Sequence, residues 1–487
     1  MYSLAASGLM LALAGQALAS TAALTIKGSK FFNADGSQFF IKGIAYQLTN
    51  NDPLADSTQC VLDINLMKTI GTNAIRVYHV DPTANHDTCM SALSDAGIYA
   101  FIDLDTFPTY IVATSPEWNQ TQYSAYSKVM DAFHSYDNVA GFFVGNEVLN
   151  DGADSIAAPY VKAAARDMKA YGASKGYRKI PVGYSASDIP TLRPNLQNYL
   201  ACGSNSSDAV DFFSLNAYEW CGQNTYQGSG YSALQANASE YDIPIFFSET
   251  GCNQPTPRDF GDQAAIFGSE MSGTWSGAII YEWIQETNDY GLISYGPPAA
   301  ATATGSGIVA GFTRQGTPTP IQPDWDNLSS QWAAASPSST SEAAYSPSNS
   351  PPACPAYTSG LWLVSSDQAL PTLGQGAEYS QPSHSSTSMA SGSSSGSSSG
   401  TGSSSGTGSS TGSSTGSKSG SSSSASKTSS GSSSSSSNGA AAASSSGSSA
   451  ANLGRRMPSA LLNARDENWA VVGFGLVVCL VFGISML

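Results

Sequence analysis

Short apolar runs rich in β-branched and aromatic residues recur along the N-terminal part of the chain and alternate with stretches of helical periodicity. These runs predict eight strands, at Phe39–Tyr46, Asn73–Val80, Ile98–Asp105, Val139–Val148, Ile180–Ser187, Asp211–Trp220, Pro244–Gly251 and Gly277–Ile284. Predicted helices between them include Cys60–Ile70, Gln120–Tyr136, Ile156–Tyr171 and Phe260–Met271. Repeated alternation of strand and helix predicts an α/β fold with a parallel sheet, closed into a (β/α)8 TIM barrel.

The predicted strands begin apolar and end polar. Strands that are buried on both faces of a parallel sheet are normally continuous apolar runs. Polar or tyrosine side chains nevertheless stand near the ends of these runs, at Gln47, Arg76, Tyr78, Asp103, Asp105, Asn146, Glu147, Ser185, Asn216, Tyr218, Glu219, Ser248, Glu249, Tyr281 and Glu282. Active sites of TIM barrels are built at the C-terminal ends of the strands, so this pattern predicts an enzyme.

Composition changes beyond the predicted barrel. From Ser391 to Ala440 the chain contains only Ser, Gly, Thr and Ala with two Lys and one Asn. Such a segment buries too little apolar surface to offset its ordering entropy. We therefore expect a catalytic domain over residues 20–335, a C-terminal extension over 336–380, and a disordered, O-glycosylated spacer over 381–451.

Both ends of the chain resemble targeting signals. The apolar run Leu9–Ala14 and the small-x-small sequence Ala17–Ala19 predict a signal peptide over residues 1–19. Small residues, a polar spacer and the apolar run Trp469–Leu487 predict a GPI-attachment signal over residues 452–487, with a transmembrane helix as the alternative. We expect the protein on the outer face of the plasma membrane or in the wall, tied to the membrane by the anchor.

Charge and cysteine content limit the partners, disulfides and cofactors that we expect. A formal net charge of −16 with only 20 Lys and Arg argues against a nucleic-acid partner. Because Cys479 lies in the predicted anchor signal, six cysteines remain, which allows three disulfides in fifteen pairings. Histidine is scarce and no C-x-x-C occurs, so we expect no metal and no cofactor. Sequons that agree with secretion occur at Asn119, Asn205, Asn237 and Asn327.

Two glutamates at predicted strand ends carry the candidate chemistry. Cleavage of a glycosidic bond needs two carboxyl groups that flank it, and Glu147 and Glu249 end the fourth and seventh predicted strands. The alternative is a buried glutamate that only pairs with an arginine such as Arg76. Asn146 directly precedes Glu147 and could bond a sugar 2-hydroxyl, which favours catalysis.

Six segments resemble the fungal β-1,3-glucanosyltransferases of glycoside hydrolase family 72. They are IKGIAYQ at Ile41–Gln47, NAIRVY at Asn73–Tyr78, VGNEV at Val144–Val148, NAYEWCG at Asn216–Gly222, FSETGC at Phe247–Cys252 and YEW at Tyr281–Trp283. The resemblance implies that Glu147 is the acid/base and Glu249 the nucleophile. It also implies a sugar site formed by Gln47, Tyr78, Asn146, Tyr218, Tyr281 and either Asp105 or Asp103. Glu219 and Glu282 are rival carboxylates that strand alternation should direct elsewhere.

The same resemblance implies an enzyme that needs no cofactor, takes a β-1,3-glucan donor and a β-1,3-glucan acceptor, and elongates wall glucan. We expect a monomer. Two alternatives stay open: a β-1,3-glucanase that only hydrolyses, and a non-enzymatic glucan-binding wall mannoprotein. Trp220, Tyr290, Phe107 and Tyr110 are candidates for acceptor platforms or for ordinary packing. Strand order and the resemblance both favour disulfides Cys60–Cys89, Cys221–Cys252 and Cys202–Cys354, the last tying the extension to the barrel.

Overall fold

Eight parallel strands close into a barrel in the computed structural model, which describes residues 21–48, 52–303, 305 and 307–376. The strands are β1 Ile41–Ala45, β2 Ala74–Val77, β3 Tyr99–Asp103, β4 Val139–Asn146, β5 Val182–Ser187, β6 Phe212–Asn216, β7 Ile245–Thr250 and β8 Trp275–Ile280. Each strand pairs in parallel with the next, and β8 pairs with β1. The predicted TIM barrel is confirmed. The predicted signal peptide, spacer and anchor signal lie outside the described residues.

A helix follows each strand along the chain. The helices are α1 Ser57–Met67, α2 Asp87–Asp95, α3 Gln120–Phe133, α4 Ala158–Ser174, α5 Arg193–Ala201, α6 Tyr231–Ala238, α7 Gly261–Ile266 and α8 Asp324–Ala334. Short 3-10 helices occur at Lys68–Ile70 and Ala153–Ala157. The helix predicted over Phe260–Met271 is shorter than expected, since α7 spans only Gly261–Ile266. In the described ranges, no helix combines the length and apolar character needed to cross a membrane.

An N-terminal sheet closes the amino end of the barrel. Its antiparallel strands are Thr25–Lys27, Lys30–Phe32 and Gln38–Phe39. The fully buried Phe31 ring lies 6.2–6.3 Å from the rings of Phe101, Phe212 and Phe246, which face the barrel interior. Aromatic contacts of this kind add to the free energy that area burial provides. The amino end of the barrel is therefore a packed core.

The C-terminal extension runs back along the outside of the barrel. Lys27 Nζ donates to Glu342 O at 2.6 Å, which fastens the extension to the N-terminal sheet. The Cys202–Cys354 disulfide then joins it to the end of α5, as the sequence predicts. Further along, Trp362 is fully buried. Two more disulfides are present, Cys60–Cys89 between α1 and α2 and Cys221–Cys252 between the segments after β6 and β7.

Two small antiparallel pairs follow β8. They pair Ile293–Ser294 with Thr319–Pro320, and Ile308–Val309 with Phe312–Thr313. The first pair also continues from the barrel wall, since Ile293 bridges to Ile284. Both lie between β8 and α8 in the chain, so they elaborate the carboxyl end of the barrel.

Candidate active site

A buried arginine organises the carboxyl end of the barrel. The Arg76 guanidinium, in β2, is 0% exposed and forms two hydrogen bonds to Asp103, at 3.1 and 2.9 Å. It also donates to Asn146 Oδ1 at 2.9 Å and to Ser185 Oγ at 3.1 Å, and it approaches Glu249 Oε1 at 3.4 Å. A buried cation is tolerated only when it is paired and hydrogen-bonded. Four strands therefore supply partners for one charge.

Glu249 receives three donors. Tyr78 Oη donates to its Oε1 at 3.0 Å, Tyr218 Oη donates to its Oε2 at 2.8 Å, and Arg76 lies beside Oε1. Burial raises the pKa of the Glu249 carboxyl to about 7, and Arg76 and the two hydroxyls act in the opposite direction. Donors that point at a carboxylate favour its ionised form.

Glu147 has a different environment. Asn216 Nδ2 donates to its Oε1 at 2.9 Å, and the backbone N–H of Glu147 donates to Ser185 O at 2.9 Å. Burial is the main cause that raises the pKa of the Glu147 carboxyl, and the hydrogen bond from Asn216, the charge of Arg76 and the hydrogen bond from Ser187 oppose it. No cation touches this carboxyl among the described residues. The direct cation contact and the two hydroxyl donors therefore belong to Glu249 and not to Glu147.

Irregular backbone at the ends of β4 and β7 aims the two glutamates into the site. The register of β7 against β6 shifts between Phe247 and Glu249, and that of β4 against β5 shifts between Phe143 and Asn146. Glu147 itself has φ 48°, in the left-handed region, which costs a non-glycine residue about 1 kcal/mol or more. Bulges near active sites redirect side chains that regular alternation would send outward.

The amide groups of the site are oriented by serines. Asn216 Oδ1 accepts hydrogen bonds from Ser185 Oγ at 2.9 Å and Ser248 Oγ at 2.8 Å, which turns its Nδ2 toward Glu147 and Asn146. Asn146 Oδ1 accepts from Arg76 and Asn216. Its own Nδ2 makes no hydrogen bond within the described part of the chain, and Asn146 lines the neighbouring cleft, where a ligand hydroxyl could meet it.

A cleft of about 340 Å³ opens beside Glu147 and is also lined by Tyr78, Asp105, Phe107 and Tyr110, among others. Asp103 also lines it, but its carboxylate is held by Arg76. Asp105 Oδ1 is buried without a hydrogen-bond partner among the described residues. Burial, with Asp103 nearby, raises the pKa of Asp105 to about 7. The side chains of Phe107 and Tyr110 are 46% and 38% exposed, so both can meet a ligand.

The remaining predicted residues surround this centre. Tyr218, Tyr281 and Tyr290 form an aromatic cluster with ring centroids 5.4–6.3 Å apart. Gln47 Oε1 accepts from the backbone N–H groups of Tyr78 and His79, at 3.0 and 3.1 Å. This contact joins the ends of β1 and β2 and positions the tyrosine that bonds Glu249.

The rival carboxylates form no hydrogen bond with the pair among the described residues. Glu282 is 4% exposed and accepts a hydrogen bond from Asn288 Nδ2 at 2.7 Å. Glu219 lies near Arg193, whose charge lowers the pKa that burial raises to about 7. Trp220 packs on Tyr231 at 5.3 Å between ring centroids. Asn216 is one of the polar residues at the strand ends that predicted the position of the site, but no role in the site was predicted for it.

The chain matches known proteins over most of its described length. The sequence profile of the family described as glucanosyltransferase, glycoside hydrolase family 72, matches residues 13–304. The 1,3-beta-glucanosyltransferase gas2 of Schizosaccharomyces pombe is 41% identical over 374 residues, 74% of this chain and 77% of that protein. The 1,3-beta-glucanosyltransferase GAS2 of Saccharomyces cerevisiae is 38% identical over 370 residues, 72% of this chain and 63% of that protein.

Solved structures agree with these matches. A mutant of Saccharomyces cerevisiae Gas2 in complex with laminaritetraose and laminaripentaose has a TM-score of 0.63 and 39% identity, and covers 71% of this chain and 74% of that chain. Gas2 of the same yeast in complex with laminaritriose and laminaritetraose has a TM-score of 0.65 and 40% identity, covering 72% of this chain and 77% of that chain.

Proposed function

Because the chain belongs to the glucanosyltransferases of glycoside hydrolase family 72, we propose that it cleaves β-1,3-glucan and transfers the new end to the non-reducing end of another glucan. The observation that carries the proposal is the unequal environment of its two glutamates. Glu249 faces a cation and two hydroxyl donors, whereas Glu147 faces neutral donors. Two carboxyl groups whose surroundings favour different protonation states are what a retaining mechanism requires.

In the first step Glu249 is the nucleophile and Glu147 the acid. Although burial raises the pKa of Glu249 to about 7, Arg76 and the two tyrosine hydroxyls that point at this carboxyl favour its ionised form, so the mechanism assigns the shared proton to Glu147. Glu249 attacks the anomeric carbon and the bond to the leaving glucan oxygen breaks. Glu147 gives its proton to that oxygen, which leaves a glucosyl ester on Glu249. Asn146 Nδ2 is placed to bond the sugar 2-hydroxyl.

In the second step a hydroxyl of the acceptor glucan attacks the same carbon. Glu147, now ionised, removes the hydroxyl proton, and the ester bond to Glu249 breaks. The product is a longer β-1,3-glucan with retained configuration. Asp105, Phe107 and Tyr110 line the cleft beside Glu147, where an acceptor can bind. Gln47, Tyr78, Tyr218 and Tyr281 hold the cleaved sugar and the nucleophile.

The ends of the chain and its sequons complete the proposal. The signal peptide at residues 1–19 and the GPI signal at 452–487 would place a monomeric enzyme at the cell surface. The spacer at 381–451, extended by O-glycans, would separate the catalytic domain at 20–335 and its extension at 336–380 from the membrane. N-glycans are proposed at Asn119, Asn205, Asn237 and Asn327.

Product length tests the transfer activity. The purified protein is incubated with a reduced laminari-oligosaccharide, and products are separated by mass over time. We expect products longer than the substrate from early time points. Shorter products alone would identify a hydrolase that uses the same residues. An unchanged substrate, from a protein whose melting transition shows it to be folded, would favour the non-enzymatic glucan-binding protein.

A further inference from the structure

A second cavity lies on the outside of the barrel, away from the cleft. This outer groove has a volume of about 530 Å³ and is lined by the C-terminal half of α4, the loop that leads to β5 and the loop that precedes β6. Because α4 ends and β5 begins at the amino end of the barrel, the groove lies toward the opposite end from Glu147. The groove and the catalytic cleft share no lining residue.

Part of the floor and one wall of the outer groove are apolar. Met130, Met168 and Ile180 contribute buried side chains to its lining. Tyr177 forms a fixed aromatic wall, since its ring stacks on His134 at 3.6 Å and its hydroxyl donates to Asp131 Oδ1 at 2.7 Å. An aromatic ring held in this way loses little entropy when a ligand packs on it. The apolar faces of a sugar ring suit such a surface.

Charged and hydrogen-bonding groups also line the groove. Four of the charged side chains are already in ion pairs within the protein: Arg166, Lys169, Arg178 and Asp211. Lys179 has a side chain that is 84% exposed, and Ser206 and Ser207 are exposed on the other side. The Lys179 ammonium and the Ser206 hydroxyl can donate to the hydroxyl and acetamido oxygens of a sugar, and the Ser207 hydroxyl can accept. An apolar floor with a few polar groups at the rim is the usual construction of a small-ligand site.

The two serines belong to a glycosylation sequon. Asn205 is exposed, and its Oδ1 accepts from the backbone N–H of Ser207 at 3.2 Å and from Ser207 Oγ at 2.8 Å. Within the described residues its Nδ2 donates no hydrogen bond. A glycan on this nitrogen would therefore begin at the rim of the outer groove.

We propose that Asn205 carries an N-linked glycan whose first sugars lie in the outer groove. Attachment joins Asn205 Nδ2 to the anomeric carbon of N-acetylglucosamine. The amide loses one proton, and a lipid pyrophosphate is the leaving group of the oligosaccharide donor. The proposal is independent of the transfer reaction, because the groove lies outside the catalytic cleft.

The other sequons supply comparisons. Asn237 is also exposed, on α6, but lines no part of the outer groove. Asn327 is half-buried and its Nδ2 donates to Arg258 O at 2.7 Å. Asn119 is the N-cap of α3, and its Oδ1 accepts from Thr121 and Gln122. Asn237 is therefore the matched control, since it is the other sequon whose asparagine is exposed.

Endoglycosidase digestion of the native enzyme tests the proposal. The full chain is secreted from a eukaryotic host that adds high-mannose glycans, and release at each site is followed by mass spectrometry of peptides. We expect release at Asn205 to be about tenfold slower than at Asn237. This ratio corresponds to a glycan that is docked about ten times as often as it is free, because the enzyme reaches only the free glycan. Denaturation before digestion should make the two rates equal.

A variant that fills the groove separates docking from local crowding. Ala170 is exposed on α4 and lines the groove, so Ala170→Trp should displace the glycan and restore fast release at Asn205. Ala236→Trp, beside Asn237 on α6, should change neither rate. Equal rates of release in the native unsubstituted enzyme, or the absence of a glycan at Asn205, would overturn the proposal, whatever the outcome of the transfer assay.

Discussion

The two ends of the barrel interior are built from the same strands but follow opposite rules. In β2, Ala74 belongs to the apolar interior at the amino end, and Arg76, two residues later, is the polar centre at the carboxyl end. In β3, Phe101 and Asp103 have the same relation. Since side chains alternate along a strand, residues two apart lie on one face. Two residues further along each of these strands, the barrel interior therefore changes from apolar packing to a charged network.

The two ends of the barrel interior differ in how strictly each side chain must match its contact partners. Apolar contacts at the amino end are non-directional and stabilise the fold in proportion to the area that they bury. At the carboxyl end each donor needs its own acceptor, because a buried polar group without one is costly. We expect substitutions at the amino end to change stability and substitutions at the carboxyl end to change activity first.

The largest effect on activity is expected from Glu249→Gln. The amide keeps the size of the side chain but cannot attack the anomeric carbon, so transferase activity on laminari-oligosaccharides should fall about 10⁴-fold or more. Circular dichroism and the melting temperature should show a folded protein, with Glu240→Gln as a control at an exposed carboxyl outside the cleft. If Glu249→Gln kept full activity, the assignment of the nucleophile would be wrong.

Phe31→Ala tests the amino end of the comparison. Removing a fully buried ring that packs on Phe101, Phe212 and Phe246 should lower the free energy of unfolding by about 3–5 kcal/mol. Urea denaturation with the disulfides intact measures the loss. At 25 °C the folded variant should keep its kcat/KM within about twofold, since distant sites are usually independent. A large loss of kcat/KM in the folded variant would show that the two ends are coupled.

Sequence reasoning predicted the barrel better than its details. Eight strongly apolar runs are a long-range signal that survives errors at single residues, and each corresponds to an observed strand. Short helices such as α5 and α6 were not given bounds from the sequence, since each spans only about two to three turns. Prediction by periodicity works least well where the backbone is irregular. The irregularities that turn Glu147 and Glu249 into the site break the alternation that a sequence displays.

The hydrogen-bond network could be predicted only in part. Polar strand ends indicated where the site would form, but not which group pairs with which. Arg76 was considered as a partner that could make a glutamate merely structural, and the structure does place it 3.4 Å from Glu249. The same cation also binds Asp103 and Asn146, so it is a shared centre. Such sharing depends on side-chain geometry across several strands.

Glu147→Gln should have a smaller effect that depends on the donor. Loss of a general acid typically costs 10²–10⁴-fold, and we expect about 10³-fold with a natural laminari-oligosaccharide. A laminari-oligosaccharyl fluoride needs no proton on its leaving group, so formation of the covalent intermediate should be much less impaired. Burst kinetics with both donors measure this step. An equal loss with both donors would contradict the role of Glu147 as acid.

Tyr218→Phe should have the smallest effect and should appear as a change in pH dependence. The Tyr218 hydroxyl donates to Glu249 Oε2 at 2.8 Å and lowers the pKa of that carboxyl, so its removal raises the pKa. Since Glu249 acts when ionised, the acid limb of kcat/KM should move to higher pH by about 1–2 units, because a hydrogen bond to a charged group is worth about 1.5–3 kcal/mol. Tyr290→Phe is the control and should leave the acid limb in place. The ring centroid of Tyr290 lies 5.6 Å from that of Tyr218. An unshifted acid limb in Tyr218→Phe, with the melting temperature unchanged, would mean that the carboxyl end does not depend on matched donors.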